Sequence, residues 1–286
     1  MSNIASLKLE QLIVYPVKSL RGIVVEQWPI SEQGLAFDRH WMLVMPNGRF
    51  VTQRQLPQMA LIDTAIEGSQ LILSLSGYGS VSVPLKSSNN QSDRFSAQVW
   101  RDECDVHEAS EAASQWLNKA LQPPQPLRLV RMSDNAQRPQ SQPERFGAET
   151  RTLFADAAPF LIANTSSLDA LNRHLQSKGY IDEARPEKDM RRFRPNLVVS
   201  GLDAFDEHNY QSLQLNGFNF RLVDHCERCI ITTINPDTAD KDPDMETYRE
   251  LAKINPMPEK PKAPAFGVNA TLALEPNQPT EISINR

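Results

Sequence analysis

From residue 7 to about residue 107 the chain is a succession of short apolar runs cut by turn signals, and no other feature limits its fold as much. Leu12-Ile-Val-Tyr15, Gly22-Ile-Val-Val25, His40-Trp-Met-Leu-Val44, Ala60-Leu-Ile62, Leu71-Ile-Leu-Ser-Leu75, Val81-Ser-Val83 and Gln98-Val-Trp100 are each three to five residues long. Runs this short do not make a helix, and their β-branched residues pack well on a pleated surface. Asn47-Gly48 is the sharpest turn signal, a two-residue hairpin candidate. The N-terminal third is therefore predicted to be built of strands.

Helical spacing first enters at Ala109–Leu121, which the Pro-rich stretch Gln122–Pro126 ends. Leu127–Val130 returns to strand, and the polar, Pro-containing residues 133–150 read as an exposed loop. A second helix is expected over Thr165–Lys178, with Ser166 and Asp169 in capping-box spacing and Gly179 as its stop. A strand over Asn196–Ser200, a hairpin around Asn216-Gly217, a strand over Ile230–Ile234 and a short helix over Asp244–Lys253 follow. The class is α+β, β-dominated: a barrel-like sheet with peripheral helices and a smaller β-rich N-terminal domain. The expected division is residues 1–125 and 126–286, with the first ~40 residues packing on the C-terminal domain.

A net charge of -5 with 23% charged residues gives no reason to expect nucleic acid or an acidic membrane surface as a partner. No apolar stretch approaches the ~20 residues of a membrane span, and the N-terminus has no basic region followed by an apolar run. Three cysteines, an odd number, fit a reducing compartment, so the expected location is cytoplasmic.

Two of those cysteines, Cys226 and Cys229, stand in C-x-x-C spacing before the β-branched run Ile230–Ile234. A redox C-x-x-C sits at a helix N-terminus, and here a strand is expected. Structural zinc needs four ligands, yet beyond this pair only Cys104 and the scattered His40, His107, His174, His208 and His225 remain. An iron–sulfur cluster usually takes four thiolates. Two small buried hydrophobes remain an open reading of the pair. As an extended strand, positions 226 and 229 would point to opposite faces.

Three segments concentrate cations: Tyr15–Gly22 with Lys18, Ser19 and Arg21, Asp38-Arg39 at the start of an apolar strand, and Arg191–Asn196 with three arginines. Such groups match phosphate oxygens, so a set of them makes an anion pocket. Solvated basic loops are the alternative for each taken singly. A soft thiolate beside basic segments suits a soft metal held by a phosphorylated organic cofactor.

Taken in order, YPVKSLRG (15–22), GLAFDRHWMLV (34–44), TQRQ (52–55), FRPNLVVSG (193–201) and CERCIITTINPDT (226–238) resemble the MOSC domain family. The resemblance runs from about residue 8 to 275 and is to the branch of the mitochondrial amidoxime-reducing components and bacterial YcbX-type proteins. It implies a MOSC β-barrel, a molybdenum–molybdopterin cofactor and reduction of N-hydroxylated compounds. It implies that Cys229 is the molybdenum ligand and catalytic, and that Lys18, Ser19, Arg39, Arg194, Asn196 and Arg228 bind the cofactor. Asp156, in FADAAPFLIA (154–163), falls where relatives carry an acidic catalytic residue near the pterin. Ala157 and Ala158 replace hydroxyl residues of some relatives, and Asn269 replaces an aromatic one. The implied electron donor is a ferredoxin or a flavin reductase, the former from a C-terminal ferredoxin domain that YcbX-type proteins often carry. The alternative within the family is a non-redox module that binds or delivers the cofactor or sulfur.

Overall fold

A computed structural model of the chain describes residues 7–86, 94–133, 138, 140, 142–274 and 278–284. Its main sheet runs, edge to edge, Ser212–Leu215, Phe218–Glu227, Lys260–Leu272, Phe160–Asn164, Leu197–Ser200, Lys8–Val14 and Ile23–Val25, with Pro256–Met257 attached to Lys260–Leu272. Every pairing is antiparallel except Phe160–Asn164 with Leu197–Ser200. The helix Thr165–Ser177 lies between those two parallel strands in sequence, as a parallel pairing requires a crossover.

Strand alternation distributes the core to both faces of this sheet. Leu12 and Val14 join Phe160, Ile162, Phe218 and Phe220 on one face. Ile13 and Tyr15 point the other way and pack with Leu171, Leu175, Phe193, Leu251 and Phe266, beneath the helices Thr165–Ser177 and Glu246–Ile254.

The remaining strands form smaller sheets. Trp41–Val44, Arg128–Met132, Asp102–Glu108 and Arg94–Val99 make an antiparallel four-stranded sheet, and Asp63–Glu67, Gln70–Leu75 and Gly79–Pro84 make a meander. The helix Glu111–Leu121 buries Ala113, Leu117 and Leu121 with Trp41, Leu43, Leu71 and Leu73. The chain crosses between the two parts more than once. Lys8–Val14 hydrogen-bonds in the C-terminal sheet, whereas Arg128–Met132 hydrogen-bonds in the N-terminal one. No helix among the described residues is long and apolar enough to cross a membrane.

Several expected elements form as read, and four local expectations fail for identifiable reasons. Asn216 and Gly217 both have positive φ (47° and 91°), as a tight hairpin between Ser212–Leu215 and Phe218–Glu227 needs. Ala60–Ile62 is not a strand: Pro57 opens a 3₁₀ turn over Pro57–Leu61, a first-turn position where its fixed φ fits. Residues 133–150 are not simply an exposed loop, because Arg138, Gln140 and Phe146 are buried and Pro143–Phe146 is a helical turn; residues 134–137, 139 and 141 lie outside the described ones. Asn164, not Ser166, caps the second helix, its side chain accepting from Ser166 N. Ile230–Thr233, read as strand, is a 3₁₀ helix. Its threonine hydroxyls explain the override: Thr232 Oγ1 donates to Cys229 O (3.0 Å) and Thr233 Oγ1 to Ile230 O (2.7 Å). A hydroxyl that can bond the carbonyl three residues back offers the backbone a turn that β-propensity alone does not anticipate.

Candidate functional site

Two tight turns from the N-terminal segment lie side by side. Lys18 N donates to Trp41 O (2.8 Å), and Arg39 N donates to Tyr15 O (2.8 Å), so the Lys18-Ser19 turn is tied to the Asp38-Arg39 turn. Ser19, Arg39 and Arg194 all hold left-handed backbone conformations, with φ of 69°, 50° and 55°. Non-glycine residues adopt these at a cost and cluster at functional sites.

Asp38 is the hub that fixes them. Its buried carboxylate accepts from Tyr15 N (2.8 Å), Asn196 Nδ2 (3.0 Å) and Arg39 Nη1 (2.5 Å). Arg39 also donates to Arg194 O (3.0 Å). The guanidiniums of Arg39 and Arg194 both lie against the Tyr15 ring, at 4.4 and 4.3 Å from its centroid. Arg194 Nη1 donates to Leu20 O (2.6 Å), while its buried Nη2 has no partner among the described residues. Burial lowers the Arg194 pKa to about 10.

Lys18 is buried and donates to Phe154 O (2.8 Å) and Asp156 Oδ1 (2.5 Å). Burial pulls the Lys18 pKa down, and the Asp156 carboxylate opposes it. For Asp156 itself, enclosure by protein raises the pKa, but Lys18, the Trp100 indole (2.9 Å) and Arg39 more than reverse this, holding it well below the usual carboxylate range. Its side chain still opens to solvent, with 67% of its surface exposed, so the pair is strongly screened. The segment carrying Asp156 is itself clamped by buried Arg138, which donates to Leu153 O and Ala155 O, and by Gln140, which donates to Ala157 O.

The opposite wall comes from the end of Phe218–Glu227. Register shifts against Lys260–Leu272 at Leu222/Asp224 and His225/Glu227 break the strict alternation. Consequently Cys226 and Cys229 do not face opposite ways; both line one cavity. They are nevertheless unequal. Cys229 is exposed, ahead of the Ile230–Thr233 turn, whereas Cys226 accepts from Arg228 Nη1 (2.9 Å), and burial raises its thiol pKa despite that arginine. Arg228 Nη2 reaches Phe193 O (2.6 Å), and its buried Nε has no partner among the described residues.

The cavity between these walls measures about 570 Å³. It brings together Lys18, Ser19, Arg39 and Asp156 from one side and Arg194, Asn196, Arg228 and Cys229 from the other, residues up to 211 positions apart in the chain. Asn196 touches the cavity, but its amide is committed to the protein: Nδ2 to Ile13 O and Asp38, Oδ1 to Leu161 N. It orders the wall and has little left to offer a ligand. Sequence reasoning missed Asp38, whose neighbour Arg39 drew attention to the same dipeptide. It also missed Trp100, and Arg54 although it lies in the TQRQ motif; the two stack at 4.7 Å beside Asp156.

The residue set fits an anionic, phosphate-bearing cofactor with a soft metal. Seven cations line the cavity, Lys18, Arg39, Arg54, Arg145, Arg194, Arg228 and Lys260, against the carboxylates Asp156, Asp224, Glu227 and Glu259. Arg194 and Arg228 make no salt bridge among the described residues, and one nitrogen of each has no acceptor there. An exposed thiol shares that wall.

Two family models match the chain, the MOSC N-terminal beta barrel domain over residues 6–124 and the MOSC domain over residues 149–282. The human mitochondrial amidoxime-reducing component 1 is 31% identical over 268 residues, covering 90% of this chain and 76% of that protein. The Xenopus laevis protein of the same name is 32% identical over 239 residues, covering 80% of this chain and 66% of that protein. The molybdenum cofactor sulfurase of Drosophila melanogaster is 32% identical over 252 residues, which is 86% of this chain and 30% of the sulfurase.

Proposed function

The chain belongs to the MOSC domain family, and we propose that within it this protein is a molybdenum cofactor-dependent reductase of N-hydroxylated compounds. One observation carries the reading: an exposed cysteine thiol, Cys229, shares a 570 Å³ cavity with Arg194 and Arg228, neither of which pairs with a carboxylate among the described residues. When bound, the molybdenum–molybdopterin cofactor supplies the two-electron chemistry of N–O reduction. Cys229 thiolate holds the metal. Arg194 Nη2 and Arg228 Nε, which have no acceptor among the described residues, take pterin or phosphate oxygens, with Lys18, Ser19 and Arg39 completing that wall. Asn196 and Asp38 position Arg39 and Arg194. Asp156, held ionised, orients Lys18 and presents an acceptor to the substrate side, where Trp100 stacks with Arg54. The electron donor is a ferredoxin or flavin reductase, and the compartment is the cytoplasm.

A second reading, cofactor or sulfur delivery without redox turnover, draws on the likeness to the sulfurases, of which this chain spans about 30%. Protein purified from a molybdenum-replete host separates the two. On the reductase reading it contains molybdenum and pterin and reduces a benzamidoxime-type substrate with an artificial donor. Cys229→Ser abolishes this activity, since a hard hydroxyl replaces the soft ligand, while Cys226→Ala retains much of it. Bound cofactor without N-reductive turnover in the wild type selects the delivery reading, and equal loss in both folded variants refutes the assignment of Cys229.

A further inference from the structure

The hairpin of Arg94–Val99 and Asp102–Glu108 carries a residue that its turn does not favour. Val99 pairs directly with Asp102, which leaves Trp100-Arg101 as a two-residue loop, and Trp100 sits there with φ of 57°. Such loops take glycine or asparagine at positive φ, and the chain obeys this elsewhere. Gly68 holds the same φ of 57° in the loop between Glu67 and Gln70, and Asn216-Gly217 fill the loop between Leu215 and Phe218. A bulky side chain in the left-handed region is an outlier that costs conformational energy. Burial does not explain it, because Trp100 is 45% exposed.

What the position achieves is reach. From the hairpin tip the indole lines the large cavity, where three contacts fix it. Its Nε1 donates to Asp156 Oδ1 (2.9 Å), the Phe50 ring packs edge-on with centroids 5.2 Å apart, and the Arg54 guanidinium lies 4.7 Å from the ring centroid. The rest of the ring is open. Arg54 lines the same cavity and makes no salt bridge among the described residues; its guanidinium donates there only through Nε, to Thr52 Oγ1 (3.3 Å). Its two terminal nitrogens, the fork that matches a carboxylate, are left to a ligand. Asp156 is already paired with Lys18 and does not take that fork.

We infer that Trp100 and Arg54 form the specificity subsite of the cavity, selecting N-hydroxylated compounds whose N–O group is borne by an aromatic ring that carries a carboxylate. The ring stacks on the open part of the indole, and the carboxylate takes the fork of Arg54. The inference rests on the reductase reading for the identity of the reacting group. The preference itself is a property of binding and is measured apart from turnover.

Cofactor-containing protein is titrated calorimetrically, without an electron donor, with para-carboxybenzamidoxime, benzamidoxime and acetamidoxime. Affinity should fall in that order, about tenfold for the carboxylate and about fivefold for the ring. Arg54→Gln should erase the first step, and Trp100→Gly, which suits the turn, should erase the second. Trp100→Phe keeps a ring but loses the bond to Asp156, and should retain the second step. If it instead matches Trp100→Gly, Trp100 serves only to hold Asp156 and the inference is overturned. Loss of pterin from Arg54→Gln makes Arg54 a cofactor ligand and overturns it too, as does equal affinity of the wild type for the three compounds. The expected order of binding without any N-reductive turnover would sink the reductase reading and leave the subsite standing.

Discussion

On the cavity side of the Cys229 turn, Lys18 pairs with Asp156 and Arg39 with Asp38, while Arg194 and Arg228 make no salt bridge among the described residues. Away from the cavity, Lys188 and Arg192 face two carboxylates of their own, Asp242 and Glu246. The second cluster is closed. Lys188 Nζ lies 3.1 Å from Asp242 and 3.0 Å from Glu246, Arg192 Nη1 donates to Asp242 and Thr232 O, and Thr247 Oγ1 donates to Asp242. Among the described residues, only Glu246 Oε2 lacks a partner there. It buttresses the Ile230–Thr233 turn through Thr232 O and through Asp242 N, which donates to Thr233 O (2.8 Å). The first cluster is open: it has surplus cations and guanidinium nitrogens without acceptors. Charge that is balanced within the protein supports the turn, and charge left unbalanced is available to a ligand.

The largest effect that can break this comparison is on stability. Lys188→Met leaves Asp242 and Glu246 buried with one cation fewer, and should cost about 3–5 kcal/mol in urea unfolding. A change within about 0.5 kcal/mol would mean that the closed cluster is no more structural than the open one.

Next in size, Arg194→Ala and Lys18→Ala should lower cofactor retention about 10- to 150-fold, one charge-assisted contact of ~1.5–3 kcal/mol each. Their urea midpoints should move less than that of Lys188→Met. Unchanged pterin content in both purified variants would return Lys18 and Arg194 to ordinary structural charges.

A third effect is the pH dependence of folding, set by two histidines outside the ion pairs compared above. Burial lowers His40 and His208 to about 4 from 6.5, with Arg131 adding to the effect at His40 and His225 at His208. Between those values the unfolded chain binds protons that the folded one does not, so stability is full above pH 6.5 and falls as pH drops toward 4. The double variant His40→Gln/His208→Gln should flatten that slope in thermal melts. A slope that persists there would assign the titration to other groups, the clusters among them.

How much of this was legible in the chain depends on the range of the interaction. Turn chemistry at Asn216-Gly217, the helix Glu111–Leu121 and the strands Gln70–Leu75 and Gly79–Pro84 are written locally, because propensity and periodicity act over a few residues. The β-dominated class follows from them. The ordered motifs likewise singled out Lys18, Arg39, Arg194 and Cys229 as candidates, and the fold brings these four to one cavity. Ile230–Thr233 misled because β-branched residues signal strand, while two hydroxyl-to-carbonyl bonds and a buried ion cluster behind them hold a turn.

What the sequence determined by itself was composition of the wall: which cations, which thiol, which turns. Only the tertiary structure decided that Lys8–Val14 pairs with Leu197–Ser200, and that pairing sets Tyr15 and its turn beside Arg194. It also decided which donors are satisfied. Whether a guanidinium nitrogen finds a carbonyl depends on strand register across residues far apart in the chain, and no local pattern encodes that.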